Sequence, residues 1–224
     1  MPNSKQPTLV AAIVVGFSLS VFVAAQYPPT SRADFTRELV AAAVERSQVH
    51  VRYVADYVRI PYPGGDVPAD TGVCTDEIIR IYRKVGIDLQ KEVHEDIVAN
   101  FREYPRKWRW LSPQPDTNID HRRVPNLMVF FRRKGESLPI TTSAGDYAPG
   151  DIVAWDLGNG QTHIGMLVDR QPLLARRYMI LHNIGRGPQI EDVLFDWKII
   201  GHYRYFGPTR PASTTALRDS RAHD

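Results

Sequence analysis

The two halves of this 224-residue chain carry different patterns of apolar residues. The first half contains longer segments of helical character. The second half contains short apolar runs separated by turn signals, notably residues 149–151 (PGD) and 158–160 (GNG). Short runs between such turns are typical of strands that pair in an antiparallel sheet. Helices followed by a sheet predict an α+β domain.

Three helices are predicted in the first half from capping residues and stop signals. They run from Ser31 to about Asp56, from Cys74 to Val85, and from Gln90 to about Tyr104. The second half is predicted to contain β-like runs, which cover residues 127–131, 152–155, 163–168, 179–182 and 202–206.

The N-terminus has the layout of a secretory signal peptide. Lys5 precedes an apolar, charge-free run from Leu9 to Ala25, and residues 23–25 (VAA) fit the small-residue rule for cleavage. A retained single-span anchor is the alternative, because the run sits at the lower limit for crossing a bilayer. Either way, the remaining chain is expected to work outside the cytoplasm, in the periplasm or beyond the cell.

We therefore divide the chain into a signal segment, a linker with the first helix, a main domain and a flexible tail. These cover residues 1–25, 26–56, 57–207 and 208–224. The composition, 43% hydrophobic and 24% charged, excludes a disordered chain and a multi-span membrane protein. The net charge of +3 comes from scattered basic residues, which disfavours nucleic-acid binding. We expect a monomer without a cofactor, which contacts a membrane only through an uncleaved N-terminal segment.

Cys74 is the one cysteine of the chain, so no intrachain disulfide can form. It lies at the predicted start of the second helix. There the helix dipole and unpaired backbone N–H groups favour a thiolate, and they can also hold an oxyanion. The alternative role is that of a small buried apolar residue.

A thiolate nucleophile needs a base, and the base needs an orienting group. His163 opens one predicted strand, whereas His182 closes another and is followed by Asn183. If these strands form a hairpin, both histidines lie at the same end of the sheet. They could then serve as base and orienting group.

The order Cys, His, His along the chain resembles NlpC-type cell-wall cysteine peptidases, whose clan also includes the CHAP amidases and has a papain-like fold. The local matches are residues 62–65 (YPGG), 71–75 (TGVCT), 148–153 (APGDIV), 162–166 (THIGM) and 180–183 (ILHN). The stretch from about Tyr62 to Phe206 also looks like an uncharacterised bacterial branch of this clan, known as a domain of unknown function.

The resemblance implies that Cys74 is the nucleophile and His163 the general base. It further implies that His182 orients His163, with Asn183 as the nearest substitute, and that Tyr62 contacts the oxyanion or the substrate. Asp76 departs from the family pattern, and its negative charge near the thiolate would raise the thiol pKa.

The segment from residue 90 to residue 126 is a long insert between the cysteine and the histidines. One interpretation is a lid in which Arg122 or Arg123 binds substrate carboxylates through paired hydrogen bonds. A second is a metal site, whose spacing matches no standard zinc pattern; its residues would be His94, Asp96, Asp116 and His121. A third is a solvated, salt-bridged loop. Our expectation includes no bound metal.

Three functions remain open at this point. The first is an exported thiol hydrolase that cleaves a peptide or amide bond of peptidoglycan. The second is a non-catalytic cell-wall-binding module that keeps the fold. The third is an acyltransferase that uses the same thiol chemistry.

Overall fold

The structure, a computed structural model, describes residues 31–105, 114–158 and 160–208. The predicted signal segment and all but the first residue of the predicted tail lie outside these ranges. The described part contains four α-helices, which are α1 (Arg32–Arg46), α2 (Cys74–Lys84), α3 (Leu89–Ala99) and α4 (Val124–Lys134). None of the helices in the described ranges is both long and apolar enough to span a bilayer.

Two groups of strands accompany the helices. The strands are β1 (Arg52–Tyr53), β2 (Thr71–Gly72), β3 (Glu136–Ser137), β4 (Ile152–Gly158), β5 (Gln161–Leu167), β6 (Ile180–Asn183), β7 (Pro188–Glu191) and β8 (Lys198–Arg204). β1 and β2 form a small parallel pair, and the other six form a sheet in the order β3-β8-β4-β5-β6-β7. Every pair in the larger sheet is antiparallel. The prediction of an α+β protein is confirmed.

The first predicted helix is too long. α1 begins after Ser31, whose side chain accepts a hydrogen bond from the Asp34 N–H, and it ends at Arg46. Beyond it, residues 49–53 (VHVRY) alternate β-branched or aromatic residues with polar ones, which suits an extended chain. The parallel pairing with β2 holds this segment beside the start of α2.

The predicted β-run at residues 127–131 is wrong, because these residues lie in α4. A short apolar run does not distinguish a buried strand from a buried helix. The flanking residues favour the helix, since Pro125 occupies its first turn and three basic residues complete its last turn. Leu127 and Phe131, one turn apart, are both fully buried.

The two faces of the large sheet are covered differently. Ile152, Ala154, Ile164 and Met166 belong to the main core with the helices. Their neighbours in β4 and β5 join a smaller cluster that includes Val153, Trp155 and Leu167. This follows from the alternation of side chains along a strand. Helix α2, buried along most of its length, lies between α1 and the sheet and carries Cys74 at its first residue.

Candidate active site

Helix α2 begins in a way that fixes the position of Cys74. Val73 is the N-cap residue, and its backbone N–H donates a 2.7 Å hydrogen bond to the Asp76 carboxylate. An acidic side chain three residues after the N-cap satisfies a backbone donor and also complements the helix dipole. Gly72 precedes the cap, and a Cβ there would lie 3.0 Å from the Arg80 guanidinium. These residues define the turn from β2 into α2.

The Cys74 thiol is buried, with a relative exposure of 5%. Burial raises its pKa to about 12, and the nearby Asp76 charge adds to the increase. Backbone N–H groups of Ile164, Thr75 and Cys74 itself act in the opposite direction. The sequence predicted two opposing effects on this pKa, a decrease from the helix start and an increase from Asp76. Desolvation outweighs the decrease, so the free protein holds a protonated thiol at neutral pH.

Asp76 and Arg122 form an ion pair directly beside this site. The Arg122 guanidinium donates to both carboxylate oxygens, at 2.8 and 3.0 Å, and both side chains are 2% exposed. Arg122 also donates to the Asp56 carbonyl oxygen at 3.0 Å. The guanidinium is therefore committed to the protein interior, which corrects its expected role in binding substrate carboxylates. The Asp76 charge is compensated within the protein.

The two histidines of β5 and β6 are joined. His163 Nε2 lies 2.9 Å from His182 Nδ1, and His182 Nε2 lies 2.9 Å from a carboxylate oxygen of Glu191 in β7. The other Glu191 oxygen accepts a 3.0 Å hydrogen bond from Arg186. Glu191 was not among the residues that the sequence singled out. Its signal was weak, because it lies in a strand, β7, that the apolar pattern did not predict.

The chain of hydrogen bonds determines which ring atoms carry protons. A carboxylate accepts only, so His182 donates from Nε2 and, when neutral, accepts at Nδ1. His163 must then donate from Nε2, which leaves its Nδ1 as an unprotonated base. Burial, followed by the effect of His182, lowers the pKa of His163 to about 3. His163 is therefore neutral at physiological pH, in the form that a general base requires.

Cys74 and His163 line the same cavity, whose volume is about 470 Å³. The structure places no hydrogen bond between the thiol and either imidazole. Other parts of the lining come from β1, from the C-terminal end of the insert and from the β4–β5 hairpin; they include Tyr53, Arg123, Val124, Leu157 and Thr162. Both predicted arginines line the cavity, but the Arg122 guanidinium is already bound to Asp76 and to the Asp56 carbonyl oxygen.

Two other residues that were predicted to belong to the site, Tyr62 and Asn183, do not line this cavity. Tyr62 is 38% exposed, and its ring packs edge-on against His94, with centroids 5.1 Å apart. Asn183 is fully buried and accepts a hydrogen bond from the Gly185 N–H, while its Nδ2 has no partner. His182, not Asn183, contacts His163.

Tyr53 is the cavity tyrosine that the sequence did not indicate. Burial, with contributions from Cys74 and Asp76, raises its pKa to about 12. The phenol therefore remains a hydrogen-bond donor at neutral pH. Our sequence interpretation hid it, because residue 53 fell inside the overlong first helix.

The metal interpretation of the insert has no geometric support in the described ranges. His94 bonds to Asp120 at 2.8 Å, and Asp96 accepts from Tyr104 at 2.6 Å. Within the part of the chain that the structure describes, no three His, Cys, Asp or Glu side chains converge as a metal site requires. The described insert is a packed, ion-paired region, with α3 against α4.

Comparison with known proteins gives the family of the chain. A family described as a domain of unknown function (DUF1287) matches residues 40–205. An Escherichia coli K12 protein described as "Uncharacterized protein YijF" is 44% identical over 207 residues, which cover 90% of this chain and 98% of that relative. No solved structure matches the chain. The match spans most of the chain, including Cys74, both histidines and Glu191, and the chain therefore belongs to the DUF1287 family.

Proposed function

We propose that this protein is an exported thiol hydrolase that cleaves a peptide or amide bond of peptidoglycan. The observation that carries the proposal is the shared cavity of Cys74 and His163, with His163 held through His182 by Glu191. A nucleophile and a base on one cavity, with the base oriented by a third group, are the arrangement that covalent catalysis requires. A papain-like fold of the NlpC type is part of this proposal.

The first half of the reaction forms a thioester. As the Cys74 sulfur bonds to the amide carbonyl carbon, His163 Nδ1 takes the thiol proton, and the carbonyl oxygen becomes an oxyanion. The phenol of Tyr53 and the backbone N–H groups at the start of α2 are the donors available to it. His163 then gives its proton to the departing amine as the C–N bond breaks.

The second half releases the acid. His163 takes a proton from a water molecule, whose oxygen attacks the thioester carbonyl carbon. When the C–S bond breaks, the proton returns to the Cys74 sulfur. In the resting protein both groups are neutral, because the pKa of Cys74 is raised and that of His163 is lowered, so the thiol proton moves to His163 only as the sulfur attacks.

The peptidoglycan assignment rests on the family resemblance and on the predicted signal segment at residues 1–25. Stem peptides of peptidoglycan carry carboxylates, and the Arg123 guanidinium on the cavity wall is the cation we assign to them. Export to the periplasm would place the enzyme beside this substrate.

Digestion of purified peptidoglycan, followed by mass analysis of the soluble products, tests the proposal. We expect products from the wild type and none from Cys74→Ala or His163→Ala. His50→Gln is the matched control, because it alters an exposed histidine outside this cavity. Unchanged product formation by a folded Cys74→Ala variant would exclude the mechanism.

A non-catalytic wall-binding module is the second candidate. Two observations favour it: the thiol is deeply buried with a raised pKa, and it makes no hydrogen bond to His163. In that case the wild type would release no products, and Cys74→Ala would sediment with peptidoglycan as well as the wild type does. Products that depend on Cys74 would exclude this alternative.

A further inference from the structure

The loop between β5 and β6 exposes two adjacent leucines. Leu173 is 98% exposed and Leu174 is 96% exposed, whereas the next most exposed large apolar side chain in the described residues, Val98, is 58% exposed. Single exposed apolar residues are ordinary on protein surfaces. A pair of leucines that is almost fully exposed at a loop tip is less ordinary, because neither side chain gains the free energy of burying its apolar surface.

The base of this loop is ordered. Val168 N–H donates to the Met179 carbonyl at 3.0 Å, and Met179 N–H donates to the Arg170 carbonyl at 2.8 Å. At the far side, Arg177 donates to the Asp192 carboxylate at 2.6 Å. The leucines therefore project from a fixed platform, which lowers the entropy lost when they contact a surface.

The tip is also basic. Arg170 and Arg176 flank the leucines, both are exposed, and neither has an ion-pair partner among the residues that the structure describes. The nearby carboxylates are Asp169, which precedes Arg170, and Asp192, which is paired with Arg177. The leucines thus stand between two available guanidinium groups.

Arg170 faces a further basic surface. With His50 and Arg186 it lines a second cavity of about 470 Å³, next to β7. Arg186 is partly neutralised by Glu191, so the field at this cavity comes mainly from Arg170. This surface extends the positive charge from the loop tip toward the body of the protein.

We propose that the 170–177 loop docks on a membrane surface rich in anionic phospholipid. Leu173 and Leu174 enter the boundary between headgroups and acyl chains, and Arg170 and Arg176 bind lipid phosphates. Apolar side chains flanked by arginines are the chemistry that suits such an interface. A protein partner would instead be expected to need a broader apolar face, which two leucines at a tip do not supply. This contact is separate from any made by the N-terminal segment and does not depend on the proposed hydrolase activity.

A fluorescent label at the loop tests the proposal in the full chain. The label NBD is attached to Ala175→Cys in a Cys74→Ser background, and vesicles of phosphatidylcholine are added with or without about 30 mol% phosphatidylglycerol. We expect a blue shift and increased emission with the anionic vesicles, reduced by high salt. All proteins keep residues 1–25, so binding through that segment alone leaves the label in water.

Matched variants separate the two parts of the contact. Leu173→Ser/Leu174→Ser should lower the labelled loop's partitioning at least about tenfold. Arg170→Gln/Arg176→Gln should remove the preference for anionic vesicles, about a tenfold loss. Val98→Ser, which alters an exposed apolar residue on α3, should have no effect. Vesicle flotation without a change in label emission would overturn the proposal, as would docking of the loop on a protein but not on vesicles.

Discussion

Replacing Arg122 by Met is expected to destabilise the protein strongly. The variant would leave the Asp76 carboxylate, 2% exposed, without the two charge-assisted hydrogen bonds of 2.8 and 3.0 Å that compensate it. Removing one partner of a buried ion pair costs about 3–5 kcal/mol. With a urea m-value of about 2 kcal/mol per molar, the unfolding midpoint should fall by roughly 2 M. Urea unfolding followed by intrinsic fluorescence measures this shift.

A double variant identifies the cause of the loss. Asp76→Asn/Arg122→Met removes both charges and keeps an oxygen that can accept from the Val73 N–H. It should regain about 2 kcal/mol or more relative to Arg122→Met alone. As a control, Lys91→Met breaks a 2.7 Å pair with Glu95 in which both side chains are about half exposed, and it should lower the urea midpoint far less than Arg122→Met does. The reasoning fails if Arg122→Met costs no more than this control or if the double variant is no more stable than Arg122→Met.

Two further predictions concern the chemistry of the cavity. Glu191→Gln should lower kcat for the proposed peptidoglycan cleavage by about 10²-fold with little change in KM or Tm, because a neutral amide no longer fixes the proton on His182 Nε2. A kcat within twofold of the wild type would contradict the tautomer assignment. Iodoacetamide should modify Cys74 at pH 8 about 10³-fold more slowly in the folded protein than in the urea-unfolded chain. Burial raises the thiol pKa from 9.0 to about 12, and the fraction of reactive thiolate at pH 8 falls in proportion. Reactivity that already reaches a plateau below pH 8 would show that the thiol is ionised.

The sequence predicted those elements of the fold that are marked by nearby capping or turn residues. Helix α2 ends within one residue of its expected end, because an acidic first turn, a basic last turn and Gly86 mark it clearly. The β4–β5 hairpin follows from its Gly-Asn-Gly turn. The region from residue 47 to residue 56 was misassigned, because its alternating pattern is only a few residues long and its partner β2 lies almost twenty residues further along the chain.

Some features of the candidate site could likewise be predicted from the sequence, and others could not. His163 and His182 could be paired from the sequence, since one strand begins where its neighbour ends. The partners of Asp76 could not, because Arg122 lies 46 residues further along the chain and reaches it only through the packing of the insert. The net direction of the Cys74 pKa shift could not be predicted for a related reason. A helix start is visible in the sequence, whereas the burial that outweighs it depends on the whole fold.

The same burial explains why the hydrogen-bonded groups that orient His163 extend from His182 to Glu191 and Arg186. A thiol with a raised pKa is a poor nucleophile at rest, so the hydrolase we propose needs a base that is neutral, correctly protonated and held in one orientation. His182 alone could not guarantee this, because a free imidazole can carry its proton on either nitrogen. The carboxylate of Glu191 removes that freedom, and Arg186 holds the carboxylate in turn. On this reasoning, a pair made of His163 and His182 alone would leave the base in a mixture of tautomers. A fourth residue on β7 is therefore what the proposed mechanism requires.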